Sequence, residues 1–358
     1  MRDDLGALRD LRLREYRPRS MLRTERHDVP RPRFPAIDAH NHLGRWLGSD
    51  GGWVVDDVDA LLETLAGSGV EAIVNLDGRW GDELEENLDR YDRAHPGRFA
   101  TFCHVDWGAF MDADVTARLI ASLERSAAAG AKGLKVWKDL GLHVRDSDGV
   151  LVLPDDPRLS EVWDAAGQLG LPIWIHTADP IAFFEPLDER NERLEELLVN
   201  PNWSFADAER FPRFDRLLDA LEAIVAGHRG TTFVGVHAGN AAEDLDRVSR
   251  MLDAYPNHRI DVAARIAELG RQPRAARRLF DRHPDRILFG TDAFPPDPGA
   301  YAVSFRFLET EDEHFPYDPD EDEPPSQGRW AISGLGLPDA TLERVYAANA
   351  RALIPSLA

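Results

Sequence analysis

Short apolar runs and amphipathic stretches alternate along most of this chain. β-Prone runs stand at FPAIDAH (34–40), VEAIVNLD (70–77), RFATFCHVD (98–106) and AKGLKVWK (131–138). They continue at LPIWIHT (171–177), TTFVGVHA (231–238), HRIDVAA (258–264) and DRILFGTD (285–292). Stretches of helical period follow them, at 56–67, 82–94, 113–129, 158–169, 207–227, 242–254, 272–283 and 338–353. Short runs that are apolar on both faces suit parallel strands, and the helices between them suit crossovers. Eight such units in one series predict a closed (β/α)8 TIM barrel, a single domain over 34–358 behind an Arg-rich N-terminal arm, 1–33. Several joints, such as AAAGAKGLK and DRHPDRILF, place Gly or Pro where a helix must stop. Two insertions break the rhythm, 178–206 after strand 5 and 293–333 after strand 8. Both lie on strand-to-helix connections, the face on which barrels carry their sites. The acidic, Pro-containing part of the second, ETEDEHFPYDPDEDEPPSQGRW (309–330), predicts a solvated loop.

Composition narrows the partners. The chain has 64 Asp and Glu against 42 Lys and Arg, a formal charge of −22, which repels nucleic acid. No run of about 18 apolar residues predicts a membrane span. The first twenty residues are charged throughout and lack the apolar middle of a secretory signal. Cys103 is the only cysteine, so no intramolecular disulfide forms. The expectation is a cytoplasmic protein that acts on a small molecule. The basic arm could reach an acidic neighbour in a homo-oligomer.

The histidines carry the chemistry. His40, His42, His176 and His237 end, or nearly end, predicted strands, and Asp292 does so on the eighth. In a parallel barrel these ends converge on one rim. His40 and His42, two residues apart on a strand, share a side and can grip one divalent ion. Asp38 is expected to point the same way, deeper in the barrel, as a supporting group. His176 and His237 read either as ligands or as packed, hydrogen-bonded residues. Asp292 could bind metal, take a proton from water or cap a loop. Lys135 lies on an apolar strand, where a charged amine is costly to bury. It either turns to solvent, pairs with an acid such as Asp139, contacts an anionic substrate, or bridges two metals as a carbamate. The leading candidates for substrate contact are Arg265, Trp137 and Lys138. Others are Arg79, Trp80, Trp107, His143, Phe183, Phe184 and Arg306. Arg265 could grip an anion with two parallel hydrogen bonds, or simply close a loop salt bridge.

Taken in order, IDAHNH, the IH of strand 5, VHAGN, FGTD and the closing YAANARALI resemble the amidohydrolase superfamily. The likeness spans about residues 34–354. It is strongest to the amidohydrolase-related branch that includes aminocarboxymuconate-semialdehyde decarboxylase. The resemblance implies that His40, His42, His176 and Asp292 hold a divalent metal, with Zn²⁺ expected. It makes His237 a ligand of a second metal or the acid/base group, and Asp292 also the acceptor of the water proton. GLKVWKDLG is similar to the urease stretch that carries a carbamylated lysine, which would make Lys135 a bridge between two ions, the second Fe or Mn. The implied activity is hydrolysis of an amide, ester or lactone carbonyl. The alternatives are non-oxidative decarboxylation or hydration of a small carboxylic acid (a lyase), a dinuclear Fe/Mn oxygenase, or a non-catalytic subunit with a structural metal.

Overall fold

Eight short parallel strands form the ring that the apolar runs predict. In the computed structural model, which describes residue 6, residues 8–318 and residues 325–357, they are β1 (Ala36–Asn41), β2 (Val70–Asn75), β3 (Phe99–Thr101), β4 (Leu134–Val136), β5 (Ile173–Ile175), β6 (Phe233–Gly235), β7 (His258–Asp261) and β8 (Ile287–Leu288). Ladders join β1 to β3 and β4 to β8, each strand pairing with the next in sequence. Two seams close the circle. Between β3 and β4, Lys135 N donates to Cys103 O at 2.8 Å and Cys103 N to Gly133 O at 2.9 Å. Between β8 and β1, Ala39 N donates to Phe289 O at 3.0 Å and Asp292 N to His40 O at 2.9 Å. The fold is a (β/α)8 barrel.

Alternation along the strands sorts the core into two layers. Ile37, Ala39, Ala72, Val74, Ala100, Phe102, Trp174, Val234 and Leu288 fill the interior, with Phe102 edge-on to Trp174 at 4.8 Å. Ala36, Val70, Ile73, Ile260 and Ile287 face the helices instead. The helices are amphipathic, as their period requires. In Val115–Ala129 the buried positions are Val115, Leu119, Leu123 and Ser126, a single stripe. The helix Val58–Ser68 shows how an element is bounded. The Asp57 carboxylate caps Ala60 N, and Gly69 ends the helix at φ 74°, a conformation that costs other residues about 1 kcal/mol.

Two expectations need correction. Asp38 does not point down the barrel. Its carboxylate faces β8 and the helix Pro298–Glu309, accepting from Thr291 N, Thr291 Oγ1 and Tyr301 OH at 3.0, 2.6 and 2.9 Å. The cause is a register shift between Asp38 and Asn41 against β2. Such a bulge breaks strict alternation and re-aims the side chains beyond it. The acidic part of the second insertion, expected as a solvated loop, is partly packed, and a helix leads into it. Pro298–Glu309 is a helix, capped by the Asp297 carboxylate on Gly299 N and Ala300 N, with Pro298 in its first turn. In the acidic stretch Asp312 is buried against His27 and Arg306, and Phe315 pairs with Ile332. Residues 319–324 lie outside the described residues. The end of the arm lies against the barrel, with Arg31 donating to Ala66 O and Gly67 O, and Arg33 pairing with Asp339.

Asn349, in the closing helix, donates to Pro284 O at 2.8 Å and Ile287 O at 2.7 Å, pinning that helix to the root of β8. Asn349→Ala leaves two carbonyls unpaired in a buried place. The expected loss is ~1–3 kcal/mol of unfolding free energy, read from a denaturant melt.

Candidate metal centre

The rim at the C-terminal ends of the strands gathers the candidate residues. One donor atom each from His40, His237 and Asp292 lie within 4.8 Å of one another. His40 Nε2 is 3.7 Å from Asp292 Oδ1, and His237 Nε2 is 3.9 Å from Asp292 Oδ2. The opposite ring nitrogens are spoken for. His40 Nδ1 bonds Asp261 Oδ2 at 2.8 Å, and His237 Nδ1 bonds Ala263 O at 2.9 Å. Each acceptor requires Nδ1 to carry the proton, so each Nε2 keeps a lone pair turned toward Asp292. His40 Nε2 and Asp292 Oδ1 are buried with no hydrogen-bond partner. Buried polar atoms without partners are costly, and a cation between them would satisfy them together.

His42 and His176 flank this group. His42 Nε2 stands 3.2 Å from Asp292 Oδ1, and its Nδ1 is buried without a partner. The His176 ring meets His237 edge-on at 4.6 Å, but its Nε2 is turned to Asp179 Oδ1 at 3.1 Å. Burial lowers the imidazoles of His42 and His176 to about 4 and that of His237 well below its ordinary value, so all three are neutral at neutral pH. Neutral imidazole is the ligand form. Burial alone would raise the Asp292 carboxyl, but His40, His42 and Lys135 outweigh it and keep it ionised.

The backbone is bent to make this group. Asp292, His237 and Ala238 all sit at positive φ, 59°, 57° and 58°. Strain of this kind costs of order 1–3 kcal/mol per residue and persists only where surroundings enforce it. Here Asp261 Oδ1 accepts from His237 N at 2.8 Å, and Asn240 Oδ1 accepts from Thr177 N at 3.0 Å, tying the loop after β6 to its neighbours.

A cavity of about 450 Å³ opens above the group. Lys135, Trp137, Lys138 and Arg265 all line it, as does Phe183. Lys135 neither reaches solvent nor pairs with Asp139. It is buried, its Nζ has no hydrogen-bond partner and lies 5.0 Å from the Trp137 ring, and burial lowers it to about 8. It pairs with Trp174 across β4 and β5, so it shares the inward phase of that side chain. Lys138 is bound to Asp179. Arg265 makes no loop salt bridge among the described residues, and its Nη1 donates to Ala264 O at 2.7 Å. Four candidates lie elsewhere. Arg306 pairs with Asp312, Trp107 packs on Phe110, His143 on Phe205 and Phe211, and Phe184 lines a neighbouring groove. Arg79 stacks on Trp46 and Trp80, behind the cavity wall.

Sequence reasoning missed Asp261, Asp179, Trp46, Arg193, Phe294 and Gln327. Asp261 had a signal, an acid at the C-terminal end of a predicted strand. The first insertion forms one wall of the cavity through Phe183, Arg193, Glu196 and Trp203. Ion pairs fix it to neighbouring loops. The buried Arg193 pairs with Glu268, Arg271 grips both oxygens of Glu192, and Arg329 grips both oxygens of Glu195.

A family model described as Amidohydrolase matches residues 37–355. Among solved structures, 2,6-dihydroxybenzoate decarboxylase from Rhizobium superposes with a TM-score of 0.58 at 16% identity, over 90% of this chain and 99% of that one. A dihydroxybenzoic acid decarboxylase from Polaromonas sp. JS666, with bound manganese and the inhibitor 2-nitroresorcinol, gives 0.56 at 16% identity, over 90% and 97%. An amidohydrolase from Burkholderia multivorans with bound zinc gives 0.51 at 16% identity, over 89% and 99%. A search of curated proteins finds no match. At these identities the structural likeness speaks for the fold.

Two predictions follow from the geometry. Asp261→Asn places an N–H where His40 Nδ1–H needs an acceptor, so bound metal should be lost to a competing chelator at ~10–100-fold lower chelator concentration. The second concerns Asp77, just beyond β2, fully buried with both oxygens unpartnered. Burial, reinforced by Glu83, pushes its carboxyl up to about 7 from 3.8. The folded state therefore holds a proton that the unfolded chain has released, and stability falls as pH climbs from about 4 to about 7. Asp77→Asn should flatten that slope and raise Tm at pH 8.

Proposed function

The chain belongs to the amidohydrolase family, and from that premise we propose a metal-dependent hydrolase that turns an activated water on the carbonyl of a small amide, ester or lactone. The observation that carries this reading is the trio of His40 Nε2, His237 Nε2 and Asp292, two fixed lone pairs and an ionised carboxylate aimed at one point. Nitrogen and oxygen donors of this kind suit Zn²⁺. His42, 3.2 Å from Asp292 Oδ1, and His176, its ring 4.6 Å from that of His237, are the residues that would complete its shell. A tight group of three donors favours one ion over two. The manganese and zinc in the structurally similar enzymes support a divalent metal without choosing between them.

A divalent ion in this place supplies Lewis acidity, polarising a carbonyl oxygen and lowering the pKa of water. Asp292, held ionised, would accept the proton that the attacking water gives up. His40 and His237 are fixed in orientation, Nε2 toward Asp292, because Asp261 and Ala263 O accept their Nδ1 protons. Trp137 and Phe294 pack against His42 at 4.8 and 5.3 Å and keep bulk water from the reacting atoms. Lys135, buried with no acid bonded to it, adds positive potential for an oxyanion.

Decarboxylation of a small acid is the second reading, favoured by the decarboxylases among the structurally similar proteins. There the same centre would hold the acid while a proton is delivered to the carbon that loses CO2. Metal analysis and product analysis decide. His40→Ala with His42→Ala should abolish both metal content and turnover. Full activity in metal-free wild-type protein defeats the proposal. CO2 release from 2,6-dihydroxybenzoate, without hydrolysis of an ester panel, replaces the first reading with the second.

A further inference from the structure

Four cationic side chains line the cavity, and they differ in what neutralises them. Lys138 has Asp179, and Arg193 has Glu196 and Glu268. Lys135 belongs to the metal centre. Arg265 is different. It is only 7% exposed, and its one hydrogen bond is to the carbonyl of the preceding residue. Among the described residues no carboxylate pairs with it, although the chain carries 64 acids. The acids around it are engaged elsewhere: Glu196 and Glu268 with Arg193, and Glu243 with Ile181 N at 3.1 Å. An unpaired guanidinium held out of water is unfavourable. The chain also bends to put it there, through Ala264 at φ 53°. Gln327 reaches the same Ala264 carbonyl at 3.5 Å and leaves its own Oε1 buried without a partner. Arg265 and His237 line the same cavity, so the guanidinium opens into the space above the metal centre.

We propose that Arg265 anchors a carboxylate of the substrate that is not the group reacting at the metal. This rests on the reading of the cavity as the active site and narrows its substrate class. The substrate is a small acid whose free carboxylate sits apart from its scissile bond. The planar fork of Arg265 matches a carboxylate with two parallel hydrogen bonds. Trp137, Trp203, Phe183 and Phe294 supply flat apolar walls, and 450 Å³ accommodates a body of about one substituted ring. The inference holds whether the reacting bond is an amide, an ester or a second carboxyl.

The test compares benzoate with benzamide, the same ring with and without the charge, titrated into the purified holoenzyme by calorimetry. Wild-type protein should prefer benzoate by at least ~10-fold. Arg265→Gln should lose ~10–100-fold in benzoate affinity with benzamide binding unchanged, the scale of a charge-assisted hydrogen-bonded pair. Arg265→Lys should recover part of the loss. Because Arg265 closes no ion pair, the Tm of Arg265→Gln should equal or exceed that of wild type, an outcome that a structural role would not give. Equal benzoate affinity in Arg265→Gln and wild type overturns the inference, as does a wild-type protein with no preference for the anion. The same titration in His40→Ala/His42→Ala protein separates the two proposals. There the Arg265-dependent difference between benzoate and benzamide should persist while metal content is lost.

Discussion

One buried carboxylate keeps the rim in register. Asp261 takes His40 Nδ1 with one oxygen and His237 N with the other, so β7 holds the ends of β1 and β6 at once. Both bonds set the geometry of the rim. The first fixes which nitrogen of His40 is free, and the second holds His237 in a backbone conformation that it would otherwise leave. The seam of the barrel falls at the same place. Asp292 N donates to His40 O, so the bond that closes β8 on β1 also sets two members of the donor trio beside each other. Ring closure and site geometry are therefore one constraint, and a change that loosens the seam loosens the site.

The electrostatics of the mouth run against those of the whole molecule. The chain is strongly acidic, yet its cavity gathers four cations. Two are matched by acids inside the wall and so contribute structure more than field. The other two, Lys135 and Arg265, face the open volume from the fourth strand and from the loop after the seventh. Low dielectric around them magnifies whatever charge they meet.

Much of this was legible in the sequence because strands and helices obey local periodicity. Every apolar run from 34 to 292 contains a strand, and helices such as Pro273–Arg282 fall within two residues of their expected bounds. His40, His42, His176, His237 and Asp292 could be named as candidates because each was expected at or near the end of a strand, and strand ends of a parallel barrel meet. What stayed hidden was relational. The bulge in β1 is a property of two strands, so alternation within one strand misplaced Asp38. Lys135 could be read as outward or inward until its pairing with Trp174 fixed the phase. Asp179 and Arg193 sit in an insertion with no period to place them, and only their partners show which way they face. The helix Pro298–Glu309 did leave a mark, an Asp-Pro pair ahead of an apolar stretch, but the acidic residues after it masked the signal.

The way the first insertion is fastened has a kinetic consequence. Three arginine–glutamate couples rivet that wall to the loops after β7 and β8, and one of them is fully enclosed. The facing wall is made of ring contacts, Trp46 on Trp137 at 4.5 Å and Phe294 on His42, with Trp46 and Phe294 both partly open to water. Rings slide past one another at less cost than enclosed ion couples break. Ligand traffic should therefore use the aromatic side as its door and leave the riveted side standing as a jamb.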